Sequence, residues 1–455
     1  MNAFWHLEKH KDSIAAVEAS GKTITYAELA NKADGIAQKW TKPRSLVFLF
    51  SENSIEFLAT YLAALRNGHV LMLLSPEMPE NQRAFLEKTF EPEWIVDSQG
   101  KQVKGKGSEL VPDSDAALLL STSGTTGTPK QVCLSYENLR SNAQSIAQYL
   151  EIDQGERPIT TLPPHYSYGL SVINSHLQVG ACLVLTNDAL VTKEFWELFR
   201  RERCTSLAGV PTSYEMLRRL KIESMELPSL RTLTQAGGRL AIKHVKHFAE
   251  LAKFKRWKFM VMYGQTEASP RMSYLPVDQT LVFPDSIGVP IPGGEFSLID
   301  EDGHPIDENE VNGELVYRGR NVMLGYVDSR EGLQKLVPLD ALYTGDIAYK
   351  NSQGLYFITG RMKRFIKLHG HRISLDELER IIEKKLSISA RCTGIDSKLV
   401  VGYLAGADVG LIKQAVMDVP GVVHTDFKLH EFDSWPVTAS GKINYEAILK
   451  AVLDG

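Results

Sequence analysis

The densest chemistry in the chain lies in Ser121-Thr122-Ser123-Gly124-Thr125-Thr126-Gly127-Thr128-Pro129-Lys130, which follows an apolar strand-like run, AALLL. Gly124 and Gly127 free the backbone to turn its N–H groups inward, the hydroxyls can donate to phosphate oxygens, and Lys130 adds a mobile positive charge. This is the chemistry of a phosphate-binding loop. It is not the G-x-x-x-x-G-K-[ST] loop, because Gly127 is followed by Thr128-Pro129-Lys130-Gln131. Taken alone, the segment fits a flexible Ser/Thr/Gly connector equally well, so the rest of the chain has to decide.

The elements that must hold such a loop follow an α/β rhythm. Short apolar runs, SLVFLF (45–50), LMLL (71–74) and CLVLT (182–186), alternate with amphipathic stretches such as SIEFLATYLAALRNG (54–68). The latter places Ile55, Leu58, Leu62 and Leu65 at helical spacing and stops at Asn67-Gly68, a C-cap pattern. After about residue 283, Gly/Pro-rich turns between short strands predict a compact β-rich subdomain. Near residue 360 the texture changes again. A basic strand-like segment leads into Ser374-Leu375-Asp376-Glu377, a capping box, and then a helix with Leu375, Leu378, Ile382 and Leu386 on its apolar face. The expected division is an N-terminal domain over residues 1–361, of sheets layered with helices plus the β-rich subdomain, and a small mobile α+β domain over residues 362–455.

Composition narrows the class. At 455 residues and 43% hydrophobic content, more than one globular domain is the default. A net charge of −4, with acidic and basic residues interspersed, gives no general footprint for nucleic acid. Cys133, Cys182, Cys204 and Cys392 are widely spaced with no C-x-x-C pair, the pattern of reduced, buried thiols. The N-terminus carries charge from its first residues, and no apolar stretch reaches the roughly 18 residues of a spanning helix. A soluble cytoplasmic protein without nucleic-acid or membrane partners is expected.

The ambiguity of the loop is removed by what accompanies it. Ser121 to Lys130 resembles the signature loop of the adenylate-forming superfamily, which includes acyl-CoA synthetases, peptide-synthetase adenylation domains and luciferases. Further motifs of that family follow in order: Gln235-Ala236-Gly237-Gly238-Arg239-Leu240, Tyr263-Gly264-Gln265-Thr266-Glu267, Gly288-Val289-Pro290, Gly313-Glu314-Leu315, Tyr343-Thr344-Gly345-Asp346, Gly360-Arg361 and PVTASGK ending at Lys442. The resemblance runs over residues 20–450 and implies activation of a carboxylic acid by ATP to acyl-AMP, followed by acyl transfer to a thiol.

The resemblance also implies roles. The loop residues Ser121, Thr122, Ser123, Gly124, Thr125, Thr126, Gly127 and Lys130 would hold the ATP phosphates, and Gly237, Gly238, Arg239, Gly264 and Gln265 would border the nucleotide. Tyr263 offers a flat face to adenine, Thr266 a hydroxyl to the α-phosphate, and Glu267 a hard oxygen ligand to Mg²⁺. Asp346 would accept from both ribose hydroxyls, with Arg361 beside it. Lys442 would bridge the incoming carboxylate and the α-phosphoryl oxygens, stabilising charge that develops during displacement. Lys363 matches the hinge position at which the family swings its C-terminal domain, and Gly370 would then let a pantetheine arm pass.

For the acyl pocket the resemblance points to His165, Tyr166, Ser167, Val210, Gln235, Met262 and Ser269. LPPHYSYGL is similar to the LPxFHxYGL segment of coumarate-type ligases but places His165 and Tyr166 where those enzymes have Phe and His, so the gating role falls on Tyr166. No acidic residue occurs between Arg157 and Gly180 to pair with an α-ammonium group, which disfavours an amino acid, and the Tyr, His, Ser and Thr content suits a hydroxylated ring or a short polar acid better than a long alkyl chain, with the lean towards an aryl or hydroxyaryl acid. The acceptor expected first is CoA, with Arg320, Lys363, Arg364 and Lys367 forming either a patch for its 3′-phosphate or a solvated basic strand. The alternative acceptor is the phosphopantetheine arm of a separate carrier protein. A non-catalytic nucleotide-binding member is the remote third reading.

Overall fold

The computed structural model describes residues 3–121, 130–362, 364–368, 371–386, 388–395, 398–419, 422–438 and 443–453, without the side chains of Lys367, His371, Arg372 and Leu453. It separates into two compact units. The first comprises residues 1–284, 290–295 and 318–342, and the second residues 285–289, 296–317 and 343–455.

Two sheets build the first unit. One runs, in spatial order, Gly325–Val327, Gln131–Ser135, Ala116–Ser121, Val70–Leu74, Leu46–Phe50, Trp94–Val96 and Gln102–Lys104, with a parallel centre and antiparallel edges. Its central strands are buried end to end, as a parallel sheet covered on both faces requires. The other sheet carries Lys258–Tyr263, Thr232–Gln235, Ser206–Gly209, Pro158–Ile159, Leu183–Leu185 and Ile14–Glu18, parallel to one another, with antiparallel Ser273–Tyr274 beside the first and antiparallel Thr23–Thr25 beside the last.

Helix Ile55–Arg66 is buried nearly all round, and strands of both sheets join it in one hydrophobic core. It starts where the sequence predicts: Ser54 caps it by accepting from the Phe57 N–H, and Gly68, at φ +77°, turns the chain away. Two further helices, Tyr136–Leu150 and Ser167–Val179, pack on each other over the second sheet. Among the described residues no helix is long and apolar enough to cross a membrane. All four cysteines are free and buried.

The second unit holds a four-stranded sheet of Gly294–Ile299, Gly313–Gly319, Leu342–Lys350 and Tyr356–Arg361, and a three-stranded sheet of Ala390–Ile395, Lys398–Leu404 and Phe427–Phe432. Ser374 caps helix Leu375–Leu386, the Glu377 N–H donating to Ser374 Oγ at 3.3 Å, one of the two bonds of the expected capping box. Leu378 and Ile382 of this helix pack with Cys392, Val401, Ile412 and Phe427, while Leu386 is only partly buried.

Candidate active site in the first unit

Parallel strands bring three of the sequence motifs to one place. Gly209, Gln235 and Val261 are register partners, so Val210, Ala236-Gly237-Gly238 and Met262-Tyr263-Gly264 all follow at the carboxyl end of the second sheet. That end is where ligands bind in open parallel sheets.

Close approach explains two of the glycines. A Cβ on Gly237, which sits at φ +82°, would lie 2.3 Å from Tyr166 Oη and 3.0 Å from Val210 Cγ1. On Gly264 it would lie 1.7 Å from the Pro270 carbonyl oxygen. The turn after Gln235 is clamped by that residue's own amide, which donates to the Gly238 carbonyl at 2.8 Å. Arg239 follows on the exposed side of this turn.

Tyr166 therefore covers Gly237. Burial, reinforced by Tyr168 nearby, pushes its phenol up to about 12, so it stays neutral. His165 is engaged differently. Its Nδ1 is 3.2 Å from Ser51 Oγ, and burial lowers its pKa. The side chain at Gly237 is thus Tyr166 and not His165.

Ser167, the first residue of its helix, has its hydroxyl 3.0 Å from that of Thr266. Glu267 is held from two sides: its carbonyl accepts from the Met323 N–H at 2.8 Å, and its Oε1 accepts from Tyr326 Oη at 2.7 Å. Burial, then the Glu267 charge, raises the Tyr326 phenol well above its ordinary value. Lys130 Nζ lies 6.0 Å from the centre of the Tyr326 ring, so Tyr326 bridges the end of the phosphate-loop motif and Glu267. Ser121 Oγ donates to Gln131 Oε1 at 2.9 Å at the foot of the same hairpin.

The rest of the Tyr263 motif is pinned locally. Gln265 Nε2 approaches Tyr263 Oη at 3.4 Å, and Ser269 Oγ donates to the Asn321 carbonyl at 2.8 Å. Asn321 returns two bonds, to the carbonyls of Ala268 and Arg271. Met262 Sδ receives the Tyr149 hydroxyl at 3.0 Å and Arg271 Nη1 at 3.2 Å.

In the second unit, Asp346 and Arg361 are register partners, and Arg361 Nε donates to Asp346 Oδ1 at 2.7 Å. The Asp346 side chain is only 2% exposed, whereas Arg361 is largely exposed. Arg364 is neither a patch cation nor a solvated one. It is paired with Asp376 and with Glu379 (2.9 Å), donates to the Cys392 carbonyl, and lies 3.9 Å over the Tyr445 ring. Arg320 is largely exposed, 3.9 Å from Glu137. Thr122, Ser123, Gly124, Thr125, Thr126, Gly127, Lys363, Gly370 and Lys442 lie outside the described residues.

Three participants escaped the sequence reading: Tyr326, Asn321 and Arg271. None of the three stands out locally in the sequence.

A parallel sheet whose carboxyl edge gathers a glycine turn, a hydroxyl pair and a carboxylate, with the strands that flank the Ser121 to Lys130 motif nearby, defines an α/β protein with a candidate site at its strand ends. The chain belongs to the AMP-binding enzyme family, whose model it matches over residues 3–113 and 91–327. Among curated relatives it is similar to the D-alanine–D-alanyl carrier protein ligase of Streptococcus pneumoniae (strain 70585), at 24% identity over 98% of this chain and 97% of that protein. It is also similar to the oxalate–CoA ligase of Arabidopsis thaliana, at 27% identity over 81% and 80%. Its fold matches that of the o-succinylbenzoate CoA synthetase of Bacillus subtilis solved with its acyl-adenylate intermediate, with a TM-score of 0.80 at 20% identity over 98% and 97% of the two chains.

Proposed function

We propose that this chain is an AMP-forming ligase: a carboxylate oxygen attacks the α-phosphorus of ATP, acyl-AMP forms, pyrophosphate leaves, and the acyl group then passes to a thiol with release of AMP. The observation that carries this reading is the Ser167–Thr266 hydroxyl pair beside Glu267 at the carboxyl end of the parallel sheet, in a chain of the AMP-binding family. Thr266 presents a donor to the α-phosphate. Tyr166, closed over Gly237, bounds the acyl side and excludes water from the mixed anhydride. Asp346, oriented by Arg361, offers its remaining lone pairs to the ribose. Lys442 supplies the cation that offsets charge on the equatorial oxygens, and a swing at Lys363 then brings Gly370 to the thiol.

Glu267 fits a magnesium ligand: it offers hard oxygens, one of them fixed by Tyr326, and the residue is only partly buried, so water could reach an ion held there. Mg²⁺ held there would neutralise polyphosphate charge.

CoA is the first acceptor to test. The phosphopantetheine of a carrier protein is favoured by one observation: Arg364, a candidate for the CoA phosphate, is already committed to Asp376 and Glu379. The similarity to a carrier-protein ligase along the whole chain points the same way.

The test is ATP–pyrophosphate exchange over a panel of aryl, aliphatic and amino acids, with Lys442→Ala alongside. Exchange is expected for one class of acid and should fall on the order of 10²–10³-fold in the variant, as for loss of other charge-stabilising donors. ATP binding without exchange for any acid would reject the reading in favour of a non-catalytic nucleotide binder. CoA consumption measured against loading of a holo carrier protein then assigns the thiol.

A further inference from the structure

Behind Tyr166, between the second sheet and helices Tyr136–Leu150 and Ser167–Val179, lies a cavity lined by Ile146, Leu150, Val172, Ser175, Ala208 and Arg271, among others. Its volume is about 30 Å³, enough for two or three waters. Of the strand residues that line it, Ser206 and Ala208, and Thr232 and Thr234, alternate along one face, with Pro158, Ile159 and Leu207 completing the wall. Continued at period two, the same face leads to Val210 and Ala236. The cavity thus lies under the strand face that carries Val210 and Ala236 at its carboxyl end, and residues of both regions share a hydrophobic cluster.

Arg271 stands between them. It is 2% exposed, among the largest fully buried side chains. Its guanidinium lies 3.9 Å over the Tyr168 ring and reaches Ser171 Oγ at 3.3 Å and Met262 Sδ at 3.2 Å. Among the described residues no carboxylate pairs with it. Buried charges are ordinarily paired because desolvation of an isolated ion is costly, and the groups around this fork, the Met262 thioether, the Ser171 hydroxyl and the Tyr168 phenol, carry no charge to offset it. The acid nearest the cavity, Glu156, is engaged by the Thr205 hydroxyl and faces Arg231 at 4.0 Å. Its charge also repels an anion from that end, leaving Arg271 as the attractive one.

We infer that this cavity is the far end of the acyl pocket and that Arg271 receives a second anionic group of the substrate, so that the acid activated is a dicarboxylic acid or an acid with an equivalent distal oxyanion. The inference rests on the acid-activation reading and adds the substrate class. Arg271 is its specificity-determining residue: the fork pairs with the distal carboxylate while the proximal carboxylate is held at the Thr266 end.

Matched trios of acids of three to eight carbons test it by ATP–pyrophosphate exchange: a dicarboxylate, the monocarboxylate ending in methyl, and the ω-amino acid. The wild-type chain should prefer one dicarboxylate, by kcat/KM, by about 10- to 100-fold over its methyl-ended partner, the value of a hydrogen bond to a charged group. Arg271→Met should abolish that ratio, and Arg271→Lys should keep part of it. Both substrates are measured on one preparation, so a misfolded fraction cancels from the ratio. If neither variant folds, the wild-type preference alone decides. Exchange with monocarboxylates or ω-amino acids equal to or better than with dicarboxylates would overturn the inference and leave the acid-activation reading intact. An unchanged ratio in Arg271→Met would overturn the role of Arg271. Exchange with no acid would overturn both.

Discussion

Two arginines in this protein lie the same way over a tyrosine and differ in everything else. Arg271 in the first unit and Arg364 in the second both place the guanidinium carbon 3.9 Å from a ring centre, over Tyr168 and Tyr445. Arg364 has two carboxylate partners, Asp376 and Glu379, and Glu379 in turn accepts from the Cys392 N–H and the Tyr445 hydroxyl. Arg271 has none among the described residues. The Arg364 cation is consumed by the fold, whereas the Arg271 cation remains open to something the fold does not supply.

The strongest way to break this comparison is to remove each cation and measure stability. Arg364→Met leaves Asp376 and Glu379 buried without their partner, which should cost on the order of 3–5 kcal/mol. Hydrogen exchange of the second unit should report it. Arg271→Met orphans no carboxylate, so its cost should be near that of a desolvated cation–π contact, about 2 kcal/mol. Equal losses would mean that Arg271 is also structural.

A weaker effect sharpens the contrast through pH. Burial raises the Asp376 and Glu379 carboxyls above their ordinary values despite Arg364. Their folded forms bind protons more tightly than the unfolded chain, so this contribution to stability is present at low pH and is lost as pH rises through the raised values. In the first unit the sign is opposite. Burial lowers His176, which lines the Arg271 cavity, and His69 to about 4. His176 Nδ1 donates to the Val172 carbonyl at 2.7 Å as a neutral ring. Between about 6.5 and 4 the unfolded chain takes up protons that the folded one refuses, so stability is complete above 6.5 and is lost as pH falls. Hydrogen exchange at pH 7 and 5 should therefore show the first unit losing protection on acidification, and His176→Gln should flatten that loss. A loss unchanged by the substitution would exclude His176 as its source.

What the sequence disclosed follows from where the physics is local. Caps and periodic faces, such as Ser54 with Phe57 or Ser374 with Glu377, involve residues a turn apart, and the Tyr263 to Glu267 segment keeps its chemistry in five consecutive positions. Arg364, in a run of basic residues, read as a patch or solvated cation because its partners arrive from a later helix and strand. Arg271 and Tyr326 were silent for the same reason: Tyr168 and Glu267 lie far from them in the chain, and an arginine's lack of a carboxylate is visible only once its surroundings are assembled.

The smallest expected effect concerns Tyr326, the contact between the phosphate-loop hairpin and the acid of the Tyr263 motif. Its hydroxyl fixes one oxygen of Glu267 but is itself half exposed, so water can replace it in Tyr326→Phe. If Glu267 holds Mg²⁺, removing a partner that orients a ligand should weaken the ion, with outer partners typically worth about 10–100-fold in metal affinity when buried and less here. The half-saturating Mg²⁺ concentration in pyrophosphate exchange should rise several-fold, while kcat at saturating Mg²⁺ stays at the wild-type level. A fall in kcat with unchanged Mg²⁺ dependence would place Tyr326 at the nucleotide, through its ring or Lys130, and not behind Glu267. The two outcomes separate because an orienting hydroxyl acts on ion occupancy, which excess Mg²⁺ restores, whereas a misplaced phosphate loop is not rescued by any concentration of the ion.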